Sequence, residues 1–442
     1  MKRTVSLSLA LFLVVSVFAA FANGSKESSA SSTTAGGKVT LDLYNYVDVT
    51  SPDYAPFKTE VAAFSKAYPN ITLNIQNLFN EPYHQKLQAM AVAGQIPDLV
   101  YLWPSARTGY VTSRGLIKDL TPFLGDKKAD FQPSAVAAQG PKGQLWELPH
   151  AASTATTVVY ANEALMKQLG LTYPKTLADL IAQSPKILAA GLTPIAMADK
   201  DGWQTESCLL STLVGRLGGN TWINDANAQS NGATFTDPQF VNALQIVKQM
   251  TDAKLFSPGI TTMDYGQALQ IFEQQKAVYM IDGDWRVNQL EKDLSPDVQK
   301  TISLHTFPSI PNQTGEDTIS NIPSTGYGMN ANLTGDKAKA AWDWIWFDAG
   351  PEGSTIHLNS GIIPSYQKLD LANFKLGLLV TKLIGFYKDV PGTQTVLDGI
   401  MDPKPIGILN PDLQLLMLGQ KTPEQIGQEI QAWYKQNPPS NG

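Results

Sequence analysis

Two short segments place a carboxylate and a tryptophan beside a glycine: Asp201-Gly202-Trp203 and Asp282-Gly283-Asp284-Trp285. A sugar offers C–H patches that stack on aromatic rings and hydroxyl edges that need acceptors and donors. Aromatic faces bury apolar area with fixed geometry, and carboxylates accept short, strong hydrogen bonds from hydroxyls. Two such joints therefore suit a polyol or sugar. Trp103, with Arg107 four residues on, adds a third aromatic face and a guanidinium. The plainer alternatives are that each tryptophan fills a core where a turn meets a helix and that Arg107 is an exposed surface arginine. Two of Asp201, Asp282 and Asp284 could also serve as the carboxylate pair of a glycoside hydrolase. A polyamine would use carboxylates and aromatic faces as well. A phosphorylated solute fits poorly, because it needs several basic groups or an amide nest and only Arg107 and Arg286 lie near these joints.

Other chemistries lack their residues. The four histidines (His84, His150, His305, His357) form no HExxH pair, so a zinc hydrolase has no motif. One cysteine excludes a disulfide framework and a CxxC site, and Cys208, in an apolar run, reads as inert packing. There is no GxSxG elbow and no GxxxxGK[ST] loop, and Gly326-Tyr327-Gly328 is only a turn-like GxG. Neither a cofactor nor a metal is expected. The formal net charge of -6 argues against a dedicated nucleic-acid binder. Of the nine tryptophans, Trp342, Trp344 and Trp346 share one helix and read as packing. Trp433 reads as docking the last helix.

The residues that carry these side chains follow an alternating pattern. Val39, Leu41 and Leu43 alternate with polar residues, and Tyr44 to Tyr46 follow, which predicts a strand. Phe57, Val61, Phe64 and Tyr68 recur at helical spacing up to Pro69-Asn70. Ile71, Leu73 and Ile75 predict a second strand, Tyr83 to Ala93 a helix, and 99–102 a buried strand. Such an order implies a parallel α/β sheet covered on both faces, with ligands beyond the carboxyl ends of its strands. That puts Tyr46-Val47-Asp48 and Trp103-Pro104-Ser105 at a cleft edge. A second α/β region comes next, with strands near 157–160, 194–197, 277–280 and 302–307. Its helices are predicted at 162–169, 177–190, 208–217, from Asp237-Pro238 onward and at 267–275. Helices at 337–348 and 423–434 complete the pattern, and no fixed-period repeat is present.

Lys2 and Arg3, the apolar stretch Val5 to Ala22 and the Ala20-Phe21-Ala22 ending read as a cleavable secretory signal, cut after Ala22. No cysteine lies near that cut, so the exported protein is expected to be free rather than lipid-anchored, in the periplasm or outside the cell. Residues 23–37 are Ser/Thr/Gly/Ala-rich and read as a flexible leader. No later run reaches 18 apolar residues.

In this order the pieces resemble the extracellular solute-binding proteins of bacterial sugar ABC importers, the family that includes maltose-binding protein. The run Tyr83 to Leu102 (YHQKLQAMAVAGQIPDLVYL) looks like the family's helix, small-residue turn and Pro-Asp strand, and Gly115 to Leu124 (GLIKDLTPFL) looks like the family's next segment. Leu148-Pro149 followed by Val159-Tyr160-Ala161-Asn162 is similar to the family's crossing and Tyr-Asn strand, with one inserted residue. Pro174-Lys175-Thr176, Gly191 to Ala196, Asp201-Gly202-Trp203, Phe272 to Trp285 and Gly361 to Pro364 match in order. The resemblance covers about 40 to 440. It implies a two-lobe, type II-like periplasmic-binding-protein fold with a hinged cleft and chain crossings near 150, 305 and 365. The lobes would be 38–150 plus 305–365 and 151–304 plus 366–442. It further implies ligand contacts from Asp48, Trp103 and Arg107 of one lobe and Thr154, Asp201, Trp203, Asp284 and Trp285 of the other. The expected function is capture of a sugar or oligosaccharide by a monomer that serves an ABC permease, without catalysis. A secreted glycosidase and a receptor for a non-sugar solute such as a polyamine stand as alternatives.

Overall fold

A computed structural model of the chain describes residues 37–50, 54–79, 81–103, 106–137, 139–140, 142–152, 154–322 and 325–439. The expected secretory signal and nearly all of the leader, residues 1–36, lie outside the described residues.

The first lobe is built on a five-stranded sheet. Strand Val39–Tyr46 pairs in parallel with Ile71–Leu78 and with Leu99–Leu102. Alternation decides which face each residue serves. Leu41, Leu43 and Leu99 enter one core with Phe64, Trp344 and Ile345, while Tyr44, Val100 and Leu102 enter a second with Tyr83 and Leu87. The sheet thus has a core against each face, with the continuous apolar run Leu99–Leu102 contributing to both. Its far side is antiparallel: strand Gly326–Met329 pairs with Leu99–Leu102 and then with Leu148–Pro149. The Gly-Tyr-Gly turn expected at 326–328 is therefore a strand. A Cβ on Gly326 would sit 2.0 Å from the Leu148 carbonyl oxygen, so this close pairing needs glycine there.

The second lobe centres on a four-stranded mixed sheet in the order Thr193–Ala196, Ala277–Asp282, Val158–Asn162, Ile302–His305. Val159 and Ala161 face one core and Val158 and Tyr160 the other. The predicted cap at Thr176 is present, with Thr176 and Asp179 closing a reciprocal capping box on helix Leu177–Ala189. The apolar run at Cys208 begins with a wide π-turn, Glu206–Leu210, before helix Ser211–Ala228. Trp222 sits in that helix and donates to Asp237 at 3.0 Å.

The crossing expected near 305 lies later in the chain. Phe307 and Ile310 are buried in the second lobe's core, because this apolar pair finds its nearest core there. Strand Ile319–Ile322 then pairs with Thr154–Ala155 and Thr393–Thr395. The chain returns to the first sheet only between Ile322 and Gly326. The boundary at 365 also shifts. Tyr366 packs on Phe131, Lys368 pairs with Asp130 at 2.5 Å, and the backbone N–H of Leu378 bonds to Glu291 at 3.0 Å. The third crossing is thus drawn out from Ile363 to Leu378. Near 150, Ala151 bridges Pro364, and Ala152 N–H donates to Ile363 O at 2.8 Å.

Candidate functional site

The segments that follow four strands, Val39–Tyr46, Leu99–Leu102, Thr193–Ala196 and Ala277–Asp282, open into one cleft of about 850 Å³. That size lies within the range of roughly 300–1,000 Å³ seen for small-molecule sites. Asp48, Trp103, Thr154, Asp201, Trp203, Asp284 and Trp285 all line it. Arg107 falls in the first turn of helix Ala106–Thr112, and its side chain lies outside the described ones.

On the second-lobe wall three aromatic rings meet. Trp203 lies edge-on to Tyr265 at 4.9 Å between centroids and tilted to Trp285 at 6.2 Å. The Trp285 indole N–H donates to the Tyr265 hydroxyl at 2.5 Å, and that hydroxyl donates to Asp282 at 3.0 Å. Asp282 is buried and accepts further from Gly283 N–H at 2.8 Å and from Arg286 Nε at 2.7 Å. Arg286 in turn lies over the Tyr265 ring at 3.8 Å. Asp282, weighed from sequence as one of a catalytic pair, is instead the anchor of this wall. Arg286 is committed to the same anchor, which removes it as a basic group for a phosphate. Gly283 has a steric reason. A Cβ there would stand 2.2 Å from the Trp285 ring, so glycine lets the indole fold back over its own turn.

Asp284, two residues on, faces the other way along the turn. Its backbone N–H donates to Ala155 O at 2.9 Å, and its carboxylate accepts from Ala155 N–H at 3.2 Å and from the Tyr387 hydroxyl. Burial pushes its carboxyl up to about 7, although the bonds from Tyr387 and two backbone N–H groups pull it back down. Thr154 begins the strand that pairs with Ile322, so Asp284 and Thr154 both sit where the second lobe meets a chain crossing. Asp201 is exposed at the cleft edge, in a turn that Gly202 makes possible with φ of 78°.

Trp103, on the first-lobe wall, stands in an aromatic nest. Its ring is edge-on to Tyr46 at 4.7 Å, 5.0 Å from Tyr101 and 5.0 Å from His84. Beneath them Tyr83 is buried, its hydroxyl bonded to Tyr101 O at 2.6 Å. Asp48 closes a turn, accepting from the Thr50 N–H at 2.8 Å and the Thr50 hydroxyl at 2.7 Å. Thus each lobe presents tryptophan and tyrosine faces and at least one carboxylate to the same space. The remaining tryptophans behave as core: Trp344 is fully buried against Phe64 and Tyr327, and Trp433 packs on the second-lobe core.

Several lining residues carry no signal of their own in the sequence. Tyr101 reads there as a strand residue only, whereas Tyr46 reads as a strand end at the cleft edge. Tyr265 opens helix Tyr265–Glu273, just after the capping residue Asp264, and Tyr387 lies 103 positions after Asp284. Glu273 lines the cleft beside Asp293, and burial followed by that neighbour pushes its carboxyl up to about 7. The clue available for Tyr46 and Tyr101 is their place at the carboxyl ends of parallel strands.

Comparison with known proteins accords with this architecture. The family model described as bacterial extracellular solute-binding protein matches residues 48–354. A Brucella abortus protein named as a binding protein is 26% identical over 263 residues, covering 58% of this chain and 60% of the relative. The match thus spans less than two thirds of that relative's length. The multiple sugar-binding protein of Streptococcus mutans is 22% identical over 306 residues, 67% of each chain. Among solved structures, a chitin oligosaccharide binding protein superposes with a TM-score of 0.79 at 22% identity, covering 90% of this chain and 98% of its own. At that identity the likeness carries the fold, a two-lobed α/β solute-binding architecture with a cleft between the lobes. Among the described residues no helix is long and apolar enough to cross a membrane. The chain belongs to the bacterial extracellular solute-binding protein family.

Proposed function

We propose that this protein is the substrate-binding component of an ABC importer, capturing a neutral sugar or short oligosaccharide in its cleft and delivering it to a membrane permease. The observation that carries the reading is the convergence of Trp103 from one lobe and Trp203 and Trp285 from the other on one cleft that Asp48, Asp201 and Asp284 also line. Trp203 and Trp285 stack on the sugar ring while Asp48, Asp201 and Asp284 accept from its hydroxyls, and Thr154 and Arg107 add polar contacts. Closure is favoured only by a ligand that touches both walls at once. The similarity to a multiple sugar-binding protein and to a chitin oligosaccharide binding protein supports this ligand class.

The lobes on this reading are 38–150 plus 326–368 and 151–322 plus 378–439. The protein is exported with cleavage after Ala22, is not lipid-anchored and acts as a monomer. It has no catalytic activity. The paired-aspartate alternative loses Asp282, which is committed to Arg286, Tyr265 and Gly283, and keeps only Asp201 and Asp284.

A second reading, a cationic solute such as a polyamine, is favoured by one observation: Asp48, Asp201, Glu273, Asp284 and Asp293 all line the cleft. Thermal melting against a panel of neutral mono- and oligosaccharides and of polyamines separates the two. A sugar at about 100 times its Kd stabilises the fold by roughly 2.7 kcal/mol. No shift with any saccharide, and a shift with a polyamine, replaces the first reading with the second.

A further inference from the structure

Where the chain crosses between lobes, two imidazoles and two carboxylates meet that the sugar reading does not use. His150 Nδ1 lies 3.1 Å from one oxygen of Asp348, and His357 Nε2 lies 3.2 Å from the other. The two rings stack at 4.6 Å with 22° between their planes, so both address the same carboxylate. Glu60 Oε1 stands 3.9 Å from His357 Nε2. Glu60 and Asp348 are each only 1% exposed, and Glu60 Oε1 has no hydrogen-bond partner. An orphaned carboxylate oxygen in such a place is costly and calls for a missing partner.

The four side chains come from separate elements. Glu60 is in helix Tyr54–Ala67, Asp348 near the end of helix Gly335–Ala349, and His357 in helix Pro351–Asn359. His150 follows strand Leu148–Pro149. All four are among the residues that line the cleft.

We propose that Glu60, His150, Asp348 and His357 form a binding site for one divalent transition-metal ion of the zinc class. The two imidazole nitrogens favour such an ion over calcium or magnesium, which take oxygen ligands, and the carboxylate oxygens complete its donor set. Four donors about 2.1 Å from a metal stand roughly 3.4 Å apart at the edges of a tetrahedron. One donor atom each from His150, Asp348 and His357 lie within 4.8 Å of one another, and Glu60 Oε1 stands 3.9 Å from His357 Nε2, so an ion would draw the set inward to reach that spacing.

The backbone at His150 gives the site a consequence. Its N–H donates to Thr325 O at 3.2 Å, and its carbonyl accepts from Ser365 N–H at 3.0 Å, so all three crossings meet at this residue. A bound ion would tie that junction to three first-lobe helices and stiffen the base of the cleft. No sequence motif announces the site, because its members are spread from 60 to 357.

The test uses chelator-treated full-length mature protein titrated with zinc chloride alone and with cobalt chloride alone. Calorimetry and melting are the readouts for zinc, and visible absorption reports nitrogen and oxygen ligation of cobalt. One equivalent should bind, with a rise in Tm and new cobalt bands. His150→Ala and Glu60→Gln should each weaken binding at least about tenfold, since even outer partners of metal ligands cost about 10–100-fold. Melting of each metal-free variant checks that it is folded, and near-isosteric Glu60→Gln keeps the test available should His150→Ala unfold. Absence of saturable binding to the unmodified protein up to about 1 mM ion overturns the proposal. So does unchanged affinity in a folded Glu60→Gln or His150→Ala variant. Saccharide titration in chelator is read separately, so this site and the sugar reading fail independently.

Discussion

Trp285 and Tyr265 are joined by a hydrogen bond of 2.5 Å from indole N–H to phenolic oxygen, and the same phenol leans on Asp282 at 3.0 Å. A ring at a ligand wall is thereby held in one orientation by a buried carboxylate it does not touch. Such preorganisation lowers the ordering cost of binding. Tyr265→Phe should therefore weaken saccharide binding severalfold, by losing a hydrogen bond worth about 0.5–1.5 kcal/mol. The Tm should fall little. Equal affinity for variant and parent in calorimetry would remove Tyr265 from the positioning of Trp285.

Trp203 and Trp285 should cost more. Truncation to alanine removes an apolar face worth about 1.5–3 kcal/mol when covered by ligand, or roughly 10- to 150-fold in Kd. Calorimetry with the best saccharide from the melting panel measures it. Trp344→Ala is the contrast: its fully buried ring should cost about 3–5 kcal/mol of folding stability, with Kd changed by no more than about twofold, as for independent sites.

Gly283→Ala tests the close approach directly. A Cβ placed 2.2 Å from the Trp285 ring forces the indole or the turn to move. Overpacking of this kind costs about 1–3 kcal/mol. The expected result is a lower Tm together with weakened saccharide binding, read by melting and calorimetry on the same preparation. A Gly283→Ala protein with parental Kd would show that Trp285 does not need its present position.

The pH dependence stems from Asp284, whose carboxyl is pushed up to about 7 by burial. In the unfolded chain an aspartate titrates near about 3.9. Between those values the folded state holds more protons, so this group's contribution to stability falls as pH rises from about 4 to 7 and is flat above that. Binding runs the opposite way. Hydroxyl donors favour the ionised carboxylate, so affinity should rise with pH through about 7 and then level off. Asp284→Asn should flatten the affinity profile. Glu273, also pushed up to about 7, titrates in the same window, and Glu273→Gln is the control that should leave the rise in place. A profile unchanged by Asp284→Asn would assign it to another group.

Much of the binding wall is legible from local pattern. Strand ends at Tyr46, Leu102, Ala196 and Asp282 can be read from alternation and flanking turns, and in a covered α/β sheet side chains just beyond such ends face a cleft. That is why Asp48, Trp103, Trp203 and Trp285 can be named from sequence. Asp282 cannot be told from Asp284 in the same way. Asp282 closes strand Ala277–Asp282, whereas Asp284 lies two residues on, past Gly283, where strand alternation no longer sets side-chain direction, and the turn sends Asp282 to Arg286 and Asp284 to Tyr387.

Sequence by itself determined the α/β class, the covered sheets and the small set of strand-end residues that meet at the cleft, because period and turn chemistry are local properties. Tertiary structure alone decided the rest. The crossing expected near 305 moved to 322–326 because Phe307 and Ile310 are buried in the second lobe's core, a choice between two cores that no local pattern encodes. Tyr265, Tyr387 and the cluster of Glu60, His150, Asp348 and His357 acquire their partners only when elements far apart in the chain are packed together. Their chemistry depends on distance and burial, which are properties of the folded chain.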